Sequence, residues 1–400
     1  MSGHDQFQEV STQEQDLSRV AHWFVILTSL LLFYYAIDSP SYDWDMLGYS
    51  AAAVSLENAD VNYVHGYVYG ELKEYVTEEQ FKILTEGVYR GVMLDDADAF
   101  NQQIPFYKIR ILVVLLIFTL VKCGVNIFQA IHIISAVFTC TGILFFYFAY
   151  KKVIHPIFWV VLPLFIIGFQ VINVAQGISA DSLAFFWVGL LCFAFMHAYW
   201  KAFFLLLAIS VMVRTDMIIF VALFTSYFIL LRPRLRISAA ICAVVSVGIY
   251  LAINKFTGNF GWGTVFYYVF VSGMKATHPV EYSSVGVSIG QYMSAVISNS
   301  KSFLNKPSVL LFELSAFLQF IIFWLSQKKI SPAWNTLINI FKNPVLVLTL
   351  LSVGYFLLHY ILFPAVWFRF FVGPYMVAGL GLLSIMTALI KKIDRDRGGP

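Results

Sequence analysis

Stretches of about twenty predominantly apolar residues, the length needed to cross the hydrocarbon core of a bilayer, recur along almost the whole chain after Arg19. They occur near 21–37, 127–150, 156–173, 183–199, 202–213, 217–231, 237–253, 309–325, 344–362 and 370–390. With 60% hydrophobic and 12% charged residues, the chain has too little polar surface to surround a single core facing water. The pattern predicts an all-α polytopic membrane protein of about ten transmembrane helices, a single membrane domain over residues 1–400.

The run 109–121 is shorter than a span and opens on Lys108 and Arg110, so it reads as an interfacial or re-entrant helix. With the N-terminus 1–20 in the cytoplasm and 109–121 not crossing, the cytoplasmic loops receive Lys151, Lys152, Lys201, Arg232, Arg234, Arg236, Lys328, Lys329 and Lys342. The tail 391–400 adds Lys391, Lys392, Arg395 and Arg397. A crossing at 109–121 would move most of these clusters outside, against the excess of Lys and Arg on cytoplasmic loops. Charge therefore predicts ten crossings with both ends inside. Met1–Asp16 carries four acids, unlike the short basic start of a cleaved signal peptide, so the first helix is read as retained. The span 202–213 is the weakest, expected as a half-helix that breaks at Arg214.

Two segments outside the membrane are long: a first extracytoplasmic loop at 38–126 and a second at 254–308. Between Asp38 and Arg110 the first holds 13 of the chain's 23 acids against five basic residues, and tracts such as ELKEYVTEEQFKILTEGVYRGV have helix-forming composition. It is expected as a small folded cap with juxtamembrane helices. The second, with GNFGWGTVFYYVF, is rich in Gly and aromatics, as befits a mobile or lipid-touching segment.

Several function classes have no support. Cys123, Cys140, Cys192 and Cys242 lie in or beside apolar runs without the close pairing of zinc or redox motifs. The net charge of +3 is scattered between hydrophobic segments, so no nucleic-acid partner is expected. Walker A, HExxH and Gly-x-Ser-x-Gly patterns do not occur.

The polar residues in or beside the apolar phase are the candidates. Asp43 and Asp45 follow the first helix in SPSYDWDMLGYS, where a carboxylate can act as base on an acceptor hydroxyl or merely cap a helix. Asp181 opens a span, either as a cap beside Ser179 or as a functional acid near the apolar phase. Arg214 and Asp216, in VMVRTDMIIF, stand between two runs with no loop; they pair with each other, or Arg214 meets a phosphate. Arg369 sits between the last two spans on the outer side, where it snorkels or grips a lipid phosphate. His359 reads first as a satisfied core residue, while Glu313, His278 and Glu281 fit no metal motif.

This layout resembles the GT-C superfamily, the polytopic glycosyltransferases that use polyprenyl-phosphate-linked sugars, including protein O-mannosyltransferases and the lipid A aminoarabinose transferase. The resemblance covers most of the chain. In the superfamily pattern, Asp, three residues, Tyr, three residues and a small residue follow the first helix; Asp45, Tyr49 and Ala53 fit that register. The segment from Ile104 to Lys152 resembles its juxtamembrane helix, glycine break and second span. Asp181 falls where many members carry an acid, and the Val-Arg-Thr-Asp element resembles a Thr-Arg-Pro-Glu element shifted in order.

The resemblance implies a membrane glycosyltransferase that moves a sugar from a polyprenyl-phosphate donor to a glycan, lipid or protein acceptor. Asp45, with Asp43, would be the base, and Tyr49, Asp181, Arg214, Arg369 and His359 would line the substrate site. Some members use a divalent cation, Mg or Mn, at the acidic motif and others do not. The compact length implies a bacterial inner membrane, with the site facing the periplasm. The competing reading is a multi-span transporter or flippase of a lipid-linked or anionic substrate, with Arg214, Asp216 and Asp181 as a midplane site. A third is a non-catalytic membrane scaffold, which would tolerate Asp45→Asn.

Overall fold

The computed structural model describes residues 3–177, 180–326, 339–365 and 367–397, all helix or connection, with no strand among them. Ser179, Lys328 and Lys329 lie outside the described residues. Helix α1 (Gly3–Asp38) begins well before the expected 21, so the polar N-terminal stretch continues the first apolar helix. It buries Ala21, Val25, Leu32 and Ala36 while Trp23, Leu27, Leu31 and Tyr34 stay exposed. An apolar stripe left open on one side of a packed helix is what lipid, not water, accommodates.

The first loop folds as a chain of short helices: α2 (Asp45–Val54), α3 (Val61–Tyr75), α4 (Glu78–Thr85), α5 (Val88–Asp95), α6 (Ala97–Asn101), α7 (Ile104–Lys108) and α8 (Ile111–Lys122). Local signals start them. Asp60 accepts from Tyr63 N at 2.8 Å ahead of α3, Thr77 and Gln80 close a capping box on α4, and Asp96 caps α6. Trp44, Val68, Leu72, Met93 and Phe100 give the loop a core of its own that merges with α8. Helix α8 turns 112° from Ala97–Lys108, and its 12 residues reach about 18 Å.

Helix α9 (Ile127–Tyr150), capped by Asn126, packs most closely on α12 (Ala180–Met196). Gly142 and Gly189 permit the approach: a Cβ at 189 would lie 2.9 Å from Gly142 O. The apolar run at 156–173 is not one helix. A 3-10 turn at Pro156–Val161 leads into α10 (Leu162–Gly168), and Gln170, left-handed at φ 63°, breaks the path before α11 (Val171–Gln176). Proline at the start of the first two pieces and the left-handed residue between the last two explain the division.

Helix α13 (Trp200–Val213) stops at Arg214, α14 (Ile218–Leu231) follows a 3-10 turn, and α15 (Arg236–Thr257) presents Ile237, Ile241, Val244 and Leu251 outward. The second loop forms α16 (Gly261–Phe266), running into a π turn at Tyr267–Val271, and α17 (Ile289–Leu304). Three long helices follow among the described residues: α18 (Pro307–Ser326), α19 (Pro344–Leu362) and α20 (Val372–Arg397). Buried Gln319 of α18 accepts from Thr349 at 2.9 Å and donates to Ala378 O at 2.7 Å, tying the three together.

Among the described residues, six helices are long and apolar enough to cross a membrane, or seven if the bent pair around α7 and α8 counts as one span. That is fewer than ten because the apolar runs at 156–173, 183–199, 202–213 and 217–231 fold as broken or short helices. At 1.5 Å per residue, a helix of 14 to 17 residues reaches about 21 to 26 Å, less than a typical hydrocarbon core of about 30 Å.

Candidate functional site

The acidic motif is held in place from behind. Gln176, the last residue of α11, donates through its side chain to Ser39 O at 2.6 Å and accepts Ser41 N on its backbone oxygen at 2.9 Å. The turn after α1 is thereby pinned, and Asp43 and Asp45 follow it. Asp45 enters the first turn of α2, where the helix dipole favours a carboxylate. The spacing of four in Asp45, Tyr49 and Ala53 places all three on one helix face, with Tyr49 and Ala53 buried behind the acid. Tyr107 donates to Asp45 Oδ1 at 2.8 Å. Its ring covers Gly48, where a Cβ would collide with it.

Segments far apart in sequence meet this motif in one ionic network. Arg369 places Nη2 2.9 Å from Asp45 Oδ2, Nε 3.4 Å from Asp181 Oδ2 and Nη1 3.9 Å from Asp43 Oδ2. Arg214 reaches the other Asp181 oxygen at 2.7 Å and grips Asp216 with both Nε and Nη2, at 3.0 and 2.6 Å. Asp181 therefore bridges two guanidiniums. Asp216 also accepts from Tyr355 OH at 2.8 Å and faces His359 Nε2 at 3.1 Å. The Phe370 ring lies 4.4 Å from the Arg214 guanidinium and 5.9 Å from that of Arg369.

Every nitrogen of both arginines faces a carboxylate, and the two differ in exposure. Arg214 has 5% of its side chain exposed and all three of its nitrogens on carboxylates. Arg369 is 28% exposed, enough for an anion to compete for its fork. Mutual pairing of Arg214 with Asp216, one of the two expectations for that element, is present, and Asp181 joins it.

The two acids of the motif are driven apart. Burial raises the carboxyl of Asp43 and the Asp45 charge adds to the rise, with Arg369 opposing. Burial alone would raise Asp45 too, but Arg369, the Tyr107 hydrogen bond and Arg110 together hold it below the ordinary carboxylate value. Environments that separate neighbouring carboxyls in this way divide acid from base roles.

The network forms one wall of a cavity of about 1280 Å3. Asp43, Asp45, Asp181, Arg214, His359 and Arg369 all line it, and Tyr49 stands behind the wall. Trp262, Tyr268, Leu362, Phe363 and Trp367 supply apolar and aromatic surface, and Arg90, Arg110, Lys275 and Lys306 supply positive charge. Three other candidates lie outside the lining. His278 pairs with Asp96 at 3.3 Å, Glu281 is exposed beside it, and Glu313 faces outward on α18. The sequence reading missed Tyr107, Tyr355 and Arg110. Only proximity to the motif in the folded chain distinguishes Tyr107 from the other 21 of 22 tyrosines.

Among the described residues, no three His, Cys, Asp or Glu side chains are grouped to hold a metal ion. The positive charge among these carboxylates is instead that of Arg214 and Arg369, whose nitrogens take up their oxygens. These residues as placed do not make a divalent-cation site. Compared with known proteins, the chain matches no family model, no curated protein and no solved structure.

Proposed function

We propose that the protein is a membrane glycosyltransferase of the GT-C type, moving a sugar from a polyprenyl-phosphate donor to a glycan, lipid or protein acceptor. The observation that carries this reading is the convergence of Asp43 and Asp45, after the first helix, with Arg369, before the last, on one large cavity that is ionic on one wall and aromatic on another. A carboxylate base beside an arginine open to an anion is the minimum such a transfer requires.

In this scheme the donor phosphate takes the Arg369 fork, with planar paired donors matching two phosphate oxygens. Asp45 then loses its strongest neutralising partner and becomes more basic, so donor binding arms the base. Its carboxylate takes the proton of the acceptor hydroxyl as that oxygen bonds to the anomeric carbon. The bond from that carbon to the phosphate oxygen breaks, and its electron pair leaves on the polyprenyl phosphate. Arg369 faces the negative charge where it develops, and such preorganised charge is usually the largest catalytic contribution. Asp181, shared with Arg214, keeps Arg369 aimed. The direct test supplies purified protein in lipid nanodiscs with labelled polyprenyl-phosphate sugars and follows release of polyprenyl phosphate. No release with any sugar, alongside movement of lipid-linked substrate across proteoliposomes, would replace the enzyme with a flippase. The observation that favours the flippase is the buried chain of Arg214, Asp216, Tyr355 and His359 between helices.

We propose that the cavity lies on the extracytoplasmic side of the bacterial inner membrane, and that the six long helices, the short helices α12, α13 and α14 and the broken run at 156–173 together make ten crossings. Support comes from the alternation of ends: Asp181, Arg214, Lys306 and Arg369 lie at helix ends facing the cavity, while Lys151, Lys201, Arg232 and Lys391 mark the other ends of those helices or their neighbours. In a Cys-free background, Glu78→Cys should label from outside and Lys151→Cys from inside. Labelling of both from one side would refute the placement.

For the phosphate grip, Arg369→Ala should weaken use of the donor more than Arg369→Lys, because lysine keeps charge but loses the fork. The measurement is KM for the lipid donor, and equal, unchanged values in both variants would leave Arg369 only a structural partner of the three carboxylates it pairs with.

A further inference from the structure

We infer that α17 is an in-plane membrane helix, seated at the interface of the leaflet on the cavity side, with lipid acyl chains as the partner of its apolar stripe. The helix has three faces. One is turned to the protein: Tyr292 OH donates to Ile361 O at 2.5 Å, Tyr360 OH donates to Val296 O at 3.1 Å, and Ser300 Oγ lies 3.0 Å from Tyr360 OH, with Ala295 buried between. At about 100° per residue, Ile289, Met293, Ile297 and Leu304 fall within roughly 80° of one another, and all four are exposed. The next sector holds Gly290, Ser294, Ser298, Lys301 and Ser302, also exposed.

Water on all open sides would leave the apolar stripe uncovered, and lipid on all open sides would strand the serines and the lysine. A protein face, a lipid face and a water face occur together on a helix lying along the interface. Length agrees, since its 16 residues reach about 24 Å, short of a hydrocarbon core of about 30 Å.

The neighbours name the occupant. Helix α18 starts three residues after Leu304 and exposes Leu310, Leu314 and Phe317, and the end of α19 on which α17 rests exposes Leu358, Ile361 and Leu362. The helix thus rests against two helices that are long enough to span and carry exposed apolar side chains of their own. Lys301, between the apolar and serine sectors, is set to hold its ammonium at headgroup level. The placement has a consequence for the cavity. The Tyr292 ring lies 5.8 Å from Phe266 and 6.5 Å from Trp262, and Trp262 Nε1 donates to Leu362 O at 2.7 Å. Trp262 and Leu362 line the cavity, so α17 fixes that wall at the depth of the headgroups.

The inference does not rest on sugar transfer and is tested without it. In the Cys-free full-length protein, Met293→Cys, Ile297→Cys, Ser294→Cys and Ser298→Cys are each labelled with an environment-sensitive dye and placed in phosphatidylcholine nanodiscs. Lipids brominated near the headgroup should quench the dye at 293 and 297 at least twofold more than at 294 and 298, and aqueous iodide should show the reverse order. Equal iodide quenching at all four sites would overturn the inference. So would a dye at 293 and 297 shielded from both quenchers, which would mean that a second protein copy covers the stripe.

Discussion

Asp45→Asn is expected to lower transfer from a polyprenyl-phosphate sugar by a factor of at least about 10², the lower end of what general base catalysis contributes, while the protein stays monodisperse in detergent. Folding should change little. The amide keeps the size of the carboxylate, no helix cap depends on it, and it can still accept from Tyr107 OH, which lies 2.8 Å from Asp45 Oδ1. What is lost is the ability to take a proton. Asp43→Asn should cost less, since Asp43 stands 3.9 Å from Arg369 against 2.9 Å for Asp45 and has no hydrogen bond from Tyr107. Tyr107→Phe separates the base from its support: the tyrosine hydrogen bond is one of the influences lowering the Asp45 carboxyl, so its loss raises that group. Because the base works only when ionised, the acidic limb of the rate profile should move to higher pH in Tyr107→Phe, with the rate recovered above it. Wild-type transfer in both single Asp variants and in their double would leave the scheme without a base.

Much of this site was legible because charge in an apolar chain is scarce. Against 60% hydrophobic residues, each acid or arginine beside an apolar run had to be paired, capped or functional, and Asp43, Asp45, Asp181, Arg214, Asp216 and Arg369 do line one cavity. The pairing itself was not legible. That Asp181 would hold Arg214 with one oxygen and Arg369 with the other follows from three helix ends meeting, which no local pattern encodes. The aromatic partners were hidden for the opposite reason: Tyr107 and Tyr355 are ordinary residues in a chain that is 18% aromatic. Helix boundaries failed where hydropathy alone was read. The run at 156–173 is apolar throughout, yet Pro156, Pro163 and left-handed Gln170 divide it, and polarity along 1–20 does not interrupt α1, whose backbone bonds do not depend on lipid.

Arg214→Ala is expected to cost stability before it costs chemistry, by roughly 3 to 5 kcal/mol, the usual penalty for stripping one partner from a buried ion pair. The residue is 5% exposed and compensates two carboxylates at once, Asp181 at 2.7 Å and Asp216 at 2.6 Å. Tyr355 and His359 can still donate to Asp216, but neither donor brings a fixed full charge in place of the guanidinium. The measurement is thermal unfolding in detergent together with yield of folded protein. Adding Asp216→Asn should restore part of the loss, because an amide has no charge to strand, and the cycle of single and double variants isolates the coupling. Arg369→Ala makes the contrast: Asp43 and Asp45, at 50% and 25% exposure, keep access to water in the cavity and Asp181 keeps Arg214, so its melting temperature should fall less while donor use falls more. An unchanged melting temperature in Arg214→Ala would show that the network does not hold the helix ends together, and Arg214 would then have to be reassigned from anchor to ligand-binding residue.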